Sequence, residues 1–189
     1  MLKKEIRKKY KELRNSYSQQ EIDLLSMNCF AVLQENFSLK NKNVGVFLPI
    51  SNSNEPNTFL LLNQFDLPRS NFYAPISNNE SCEMDFFKIE SCNNLTKGAY
   101  GILEPPIKTL IQPSDLDVVL IPLLAFNLQG HRIGYGKGFY DRYFNRTNKE
   151  IVKIGISLFD SMEIIEDINP LDVPMNFCAT HRQFIDFKK

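Results

Sequence analysis

The chain has 189 residues, with 43% hydrophobic and 23% charged side chains, which suits one soluble domain with a substantial core. Its formal net charge is zero, so global electrostatics give no case for nucleic acid or a membrane surface as partner. The four cysteines, Cys29, Cys82, Cys92 and Cys178, contain no C-x-x-C pair and read as reduced, small hydrophobes of a cytoplasmic protein.

Residues 2–15 read as a helix, because Leu2, Ile6, Tyr10 and Leu13 fall on one apolar stripe. Residues 1–14 also hold seven Lys or Arg against Glu5 and Glu12. No apolar core follows those charges, so no signal peptide is apparent. Ser18-Gln-Gln-Glu21 fits a capping box for a second helix running to about Asn36. Asn43 to Ile50 reads as a strand, Asn52 to Asn57 as loop and Thr58 to Asn63 as a short helix. Phe72 to Ile76 and Met84 to Ile89 read as strands, and Gly101 to Pro113, with Pro105-Pro106, as a connection. Val118 to Phe126 is a nine-residue apolar run with the character of a buried strand. Phe139 to Tyr143 reads as a helix start, and Val152 to Leu158 and Phe177 to Thr180 as strands. Helices alternate with strands, which predicts an α/β fold with a largely parallel sheet in one domain, residues 1–189. Ligands of such folds collect at the carboxyl ends of strands. That edge would hold Ile50 to Glu55, Asn127 to Gly138 and the region around Asp172.

The densest chemistry follows the apolar run. Gly130-His131-Arg132 leads into three alternate glycines, Gly134, Gly136 and Gly138, around Lys137. A strand, a glycine-rich turn and a helix N-terminus together suit phosphate, because glycine permits close approach and free N–H groups favour an anion. Lys137 and Arg132 add full positive charges. Asp141 offers a hard oxygen for the magnesium that accompanies nucleoside triphosphates. The loop is not a Walker loop, since Gly138 stands where Ser or Thr is required, nor a dinucleotide fingerprint, since Phe139 replaces the third glycine. By pattern alone it also fits a ligand-free turn, a non-catalytic nucleotide- or RNA-binding module, or a sugar-phosphate isomerase. His131 and His181 are the only histidines, and Cys178-x-x-His181 lacks a partner pair, which argues against structural zinc.

The segment P-L-L-A-F-x₃-G-H-R-I-G-Y-G-K-G-F-Y-D-R-Y, Pro122 to Tyr143, closely resembles the signature of the 5-formyltetrahydrofolate cyclo-ligase family. Lys3-Lys4-Glu5-Ile6-Arg7, Leu48-Pro49 with Glu55, Met84-Asp85-Phe86, Gly101 to Pro105 and Asp172-Val173-Pro174 resemble further family segments, in order. The turn Phe159 to Glu163 lacks the family's Gln, and Leu171 stands where a His commonly precedes the late Asp. The resemblance implies an α/β/α sandwich enzyme that uses ATP and magnesium to close 5-formyltetrahydrofolate to 5,10-methenyltetrahydrofolate. It implies ATP contacts at Lys3, Lys4, Glu5, Ile6 and Arg7 and along Arg132, Ile133, Gly134, Tyr135, Gly136, Lys137, Gly138, Phe139 and Tyr140. It implies folate contacts at Ile50, Glu55, Tyr135, Gly136, Lys137, Gly138 and Phe139, and magnesium at Asp141 and Asp172. Lys137 and Arg132 would serve the phosphoryl transfer. Neither a nucleic acid nor an obligate protein partner is expected.

Overall fold

A computed structural model describes residues 1–64, 71–78, 80–98, 101–106, 108–147, 150–160 and 162–188. Two helices, a first strand, a third helix and then a run of strands set the frame. Helix α1 is Lys3–Asn15, α2 Gln19–Asn36 and α3 Thr58–Gln64. The capping box predicted for α2 forms: Ser18 Oγ accepts from Glu21 N–H at 3.3 Å, and Glu21 Oε2 accepts from Ser18 N–H at 2.7 Å.

Among the described residues, seven strands form the main sheet, in the order β11-β10-β9-β6-β1-β2-β3. These are β1 (Asn43–Gly45), β2 (Asn71–Asn78), β3 (Glu83–Lys88), β6 (Val118–Pro122), β9 (Val152–Ile156), β10 (Phe177–Ala179) and β11 (Phe184–Asp186). The five inner strands run parallel, and β3 and β11 are antiparallel edges. Side chains of β6 alternate between layers, as a period of two requires. Val118 and Leu120 pack with Cys29, Phe30 and Leu33 of α2 and Leu61 and Leu62 of α3. Val119 and Ile121 pack on the other face with Phe86 and with Tyr143 and Phe144 of α4 (Phe139–Asn145). The result is the α/β/α sandwich expected. No described helix is long and apolar enough to cross a membrane.

Four local expectations need correction. Val118 to Phe126 is not one strand. The main-sheet strand ends at Pro122, which has no N–H to extend the ladder. Ala125–Phe126 (β7) pairs instead with Arg132–Ile133 (β8), a hairpin outside the main sheet. The strand at Asn43 is regular only to Gly45, after which Val46 N–H still reaches Tyr73 O at 2.8 Å. The Gly101 to Pro113 connection, of which Ile107 lies outside the described residues, contains strand β5 (Leu103–Glu104), paired with β4 (Thr96–Lys97). The apolar stripe of α1 is also redrawn. Ile6 and Tyr10 are buried, but Leu2 and Leu13 are 47% and 40% exposed, and Arg14 takes the next inward position. Ile6, Tyr10 and Arg14 are each four apart, which keeps them on one face. That face packs on Leu124, Ala125 and Ile133 of the hairpin region and on Phe159, whose ring lies 5.2 Å from that of Tyr10.

Close packing at the carboxyl end of β1 gives a test. A Cβ at Gly45 would stand 2.7 Å from Phe86 Cε1 and 3.1 Å from Val119 Cγ2. Phe86 is fully buried and packed edge-on against Tyr143 at 5.1 Å, so it has little room to yield. Gly45→Ala is expected to lower unfolding free energy by about 1–3 kcal/mol, read from the denaturant midpoint.

Candidate functional site

Two cavities open side by side beyond the carboxyl ends of β1, β2 and β6. They have volumes of about 400 and 300 Å³ and share a wall made by Pro122, Tyr135, Lys137, Phe139 and Tyr140. The break at Pro122 creates this arrangement, because it sends the chain out of the sheet and returns it as the glycine loop above the sheet edge.

The smaller cavity is polar. Lys3 and Arg7 of α1, Arg132 of β8, the loop from Gly134 to Gly138, Asp141 of α4 and Asp172 border it. Arg7 Nε donates to Gly134 O at 2.9 Å, and its guanidinium lies over Gly136. Gly136 has φ 92°, and a Cβ there would meet Arg7 Cζ at 3.2 Å, so both backbone conformation and close approach call for glycine. Gly138, at φ 71°, is the N-cap of α4 and brings no side-chain cap. The first-turn N–H groups of α4, whose residues Phe139, Tyr140 and Asp141 border the cavity, have no intrahelical acceptor. Lys137 Nζ has no hydrogen-bond or ion-pair partner among the described residues.

The acids are held in place. Arg132 donates through Nη2 to Asp141 Oδ1 at 2.7 Å and through Nη1 to Val173 O at 2.7 Å, while Val173 N–H donates to the same Asp141 oxygen at 3.0 Å. Lys3 forms an ion pair with Asp172 Oδ2, which also accepts from Asn169 N–H at 2.8 Å. Burial works to raise the Asp172 pKa, but the Lys3 hydrogen bond and the Asn169 N–H outweigh it and hold the carboxyl below its ordinary value. Asp141 Oδ2 and Asp172 Oδ1 accept no hydrogen bond among the described residues. Two hard oxygens beside phosphate-type donors fit magnesium, which binds through one or two carboxylates and completes its shell with phosphate and water. No cluster of three or more His, Cys, Asp or Glu suited to a metal occurs among the described residues.

The larger cavity is apolar, with Phe47, Leu48, Met84, Ile102 and Phe139 in its wall and Glu55 and Lys137 as its charged groups. Glu55 is only 4% exposed. Its Oε1 accepts from the Tyr135 hydroxyl at 2.6 Å and its Oε2 from Ile50 N–H at 2.7 Å. Burial raises the Glu55 pKa, opposed by those two hydrogen bonds and by the Arg14 charge. Burial and the Glu55 charge also raise the Tyr135 and Tyr140 phenols, so both remain protonated donors at neutral pH.

A sequence model of the 5-formyltetrahydrofolate cyclo-ligase family matches residues 1–181. The chain belongs to this family. A Mycoplasma genitalium 5-formyltetrahydrofolate cyclo-ligase is 40% identical over 92 residues, 45% of this chain and 56% of that protein, so the match spans just over half of that relative's length. A Caenorhabditis elegans protein named a probable 5-formyltetrahydrofolate cyclo-ligase is 26% identical over 188 residues, 93% of this chain and 90% of its own. The solution structure of Aquifex aeolicus 5,10-methenyltetrahydrofolate synthetase superposes with TM-score 0.80 at 28% identity, covering 100% of this chain and 94% of that one.

For this cyclo-ligase family member, the structure gathers most of the residues singled out in the sequence. Lys3, Arg7, Arg132, Gly134, Asp141 and Asp172 meet in the polar cavity, Ile50 and Glu55 in the apolar one, and Tyr135, Lys137, Phe139 and Tyr140 border both. Ile133 is buried in the hydrophobic cluster beneath α1. Lys4 is exposed, Glu5 turns back to accept from Leu2 N–H at 3.1 Å, and Ile6 is core, and none of these three borders either of the two cavities. Their numbers fall inside the basic motif, but helical periodicity carries them to other faces. Gly134, unlike Gly136 and Gly138, has no positive φ. Ser161, in the turn that departs from the family pattern, lies outside the described residues. Arg14 escaped the sequence reading, although its position on the buried stripe of α1 was the available signal. Met84 and Ile102 were noticed as family segments but not as cavity walls.

The elevated Glu55 pKa gives a signed pH effect. The folded protein holds this proton to higher pH than the unfolded chain does. Its contribution to stability is therefore present below the ordinary carboxylate pKa and declines as pH rises through the folded value. Glu55→Gln removes that decline. The melting temperature of the variant relative to wild type is expected to rise as pH increases above the ordinary carboxylate range. Parallel profiles would contradict the assignment of a strained buried charge.

Proposed function

We propose that this chain catalyses the ATP- and magnesium-dependent conversion of 5-formyltetrahydrofolate to 5,10-methenyltetrahydrofolate, with release of ADP and phosphate. The observation that carries this reading is the pair of adjoining cavities, one apolar with a single buried carboxylate, one basic and glycine-lined, with Lys137 on their shared wall. An apolar, ring-shaped substrate with N–H donors suits the first. Polyphosphate suits the second.

The carbonyl oxygen of an N-formyl group is a poor leaving group. In the first step that oxygen attacks the terminal phosphorus of ATP, an O–P bond forms, and the bond from phosphorus to the ADP oxygen breaks. The second folate nitrogen then attacks the activated carbon and loses its proton, and the C–O bond breaks with phosphate departing. Such transfer depends mainly on positioning and on stabilising charge at the phosphoryl oxygens. Lys137 and Arg7 would supply that charge, and the first-turn N–H groups of α4 would add donors. Arg132 has two nitrogens engaged, and its part would be to fix Asp141 and the Val173 carbonyl at the cavity edge. Magnesium held by Asp141 and Asp172 would neutralise phosphate charge. Glu55 would accept hydrogen bonds from N–H groups of the pterin ring, while Phe139 and Tyr140 pack against its face. No covalent enzyme intermediate is required.

The test combines purified protein with 5-formyltetrahydrofolate, Mg²⁺ and ATP and follows the near-ultraviolet absorbance of the methenyl product. Formation that requires ATP separates this reading from an isomerase. Lys137→Ala is expected to lower turnover by about 10²-fold or more. Its melting temperature should be unchanged, because the side chain is exposed. Tight ATP binding with no product would favour a non-catalytic binding module, and near-normal turnover of the variant would remove Lys137 from its role.

A further inference from the structure

Arg14 is costly to bury, and nothing in the proposed chemistry uses it. Arg14 and Glu55 are the two charged side chains fully buried among the described residues, at 3% and 4% exposure. They do not touch. The Tyr135 hydroxyl stands between them, accepting from Arg14 Nη2 at 2.6 Å and donating to Glu55 Oε1 at 2.6 Å. Arginine can only donate, so its hydrogen bond occupies an acceptor site on the phenol and directs the phenol's own proton to the carboxylate. The Arg14 guanidinium also lies 5.5 Å from the centre of the Tyr135 ring.

The backbone makes the same connection. Asn54 Nδ2, next to Glu55, donates to Arg14 O and to Tyr17 O, both at 3.1 Å. The end of α1 is thus bound to the Glu55 loop through its carbonyls and to the glycine loop through its side chain. Arg14 itself borders neither cavity. Its Nε is buried with no hydrogen-bond partner among the described residues, a cost that comes with placing the cation there. A buried positive charge that reaches a ligand-facing carboxylate only through one phenol acts on the ligand indirectly.

We propose that Arg14 is the positioning residue of the folate-ring pocket: by fixing the Tyr135 hydroxyl against Glu55 and supplying the buried countercharge, it sets affinity for the ring without contacting it. The inference rests on the proposed function. Lys11, whose Nζ lies 5.3 Å from the Tyr135 ring centre, is exposed and cannot substitute for it.

The experiment measures binding of 5-formyltetrahydrofolate and, separately, of Mg²⁺–ATP by titration calorimetry. The variants are Arg14→Met, Arg14→Lys, Glu55→Gln and the Arg14→Met/Glu55→Gln pair. Arg14→Met is expected to weaken folate binding at least about tenfold, the scale of a lost charge-assisted hydrogen bond, and to leave ATP affinity unchanged. Arg14→Lys keeps the charge but not the fork, and is expected to lose about threefold or more. In the Glu55→Gln background the Arg14→Met loss should shrink to less than about threefold, because the residue it acts through is gone. A purely structural role would instead give equal losses in both backgrounds, or a parallel loss of ATP affinity, and either result overturns the proposal. If Arg14→Met does not fold, Arg14→Lys decides, and wild-type folate affinity in that variant overturns the assignment. Wild-type protein that binds ATP but no folate would overturn the functional reading and this assignment with it. Wild-type protein that binds folate no better than the Met variant would overturn the assignment alone.

Discussion

The structure turns on one buried carboxylate. Glu55 sits in the wall of an apolar cavity, where an isolated charge is strongly disfavoured. It is held there by three neighbours from three separated parts of the chain: the Ile50 N–H, the Tyr135 hydroxyl and, behind that hydroxyl, the Arg14 guanidinium. Each of these bonds has a second consequence. The first closes the loop after β1, the second ties that loop to the glycine loop, and the third ties the glycine loop to α1. This buried carboxylate thus fixes three elements around a common space.

Helix α1 works as a strap over this arrangement. Its first turn contributes Lys3 to the pairing with Asp172, its second lays Arg7 on Gly134 and Gly136, and its last places Arg14 behind Tyr135. Lys9 and Tyr10 add a further attachment, both donating to Glu163 Oε1, at 2.6 and 2.7 Å. These contacts join residues separated by more than a hundred positions. The basic face of the helix is therefore largely consumed in holding the late turn and the glycine loop, rather than being a uniformly solvated surface. Surface ion pairs contribute little individually, but the Lys3–Asp172 pair is mostly sheltered from water and backed by a backbone N–H.

The shared wall explains how two unlike ligands can meet. A cavity suited to an aromatic ring needs apolar surface and few donors, whereas one suited to polyphosphate needs cations and free N–H groups. The glycine loop satisfies both because it presents Tyr135, Phe139 and Tyr140 alongside Lys137, with glycines between them. Positive φ at Gly136 and Gly138 lets the backbone turn sharply enough to expose both kinds of group within a few residues. The ion pair of Arg132 with Asp141 then anchors α4 and the Val173 turn against the same loop.

Much of this was legible in the sequence. The capping box at Ser18, the alternation of helices and strands, and the glycine loop before α4 are local signals, set by hydrogen bonding and residue conformation within a few positions. The family motifs, read in order, pointed to the residues that meet in the two cavities. What the sequence left undetermined depends on distant partners. The apolar run from Val118 looked continuous because burial favours the same residues in a sheet and in a hairpin beneath a helix. Only the tertiary structure showed where Pro122 parts the two. Strand β11 is only three residues long and half-buried throughout, too short for a period of two to be read, so its pairing with β10 decides it. The apolar stripe read from the sequence put Leu13 on the buried face and left Arg14 out of it. The fold reverses this because Tyr135 and Glu55 offer that cation a buried partner, and no local property of α1 encodes where those residues will stand.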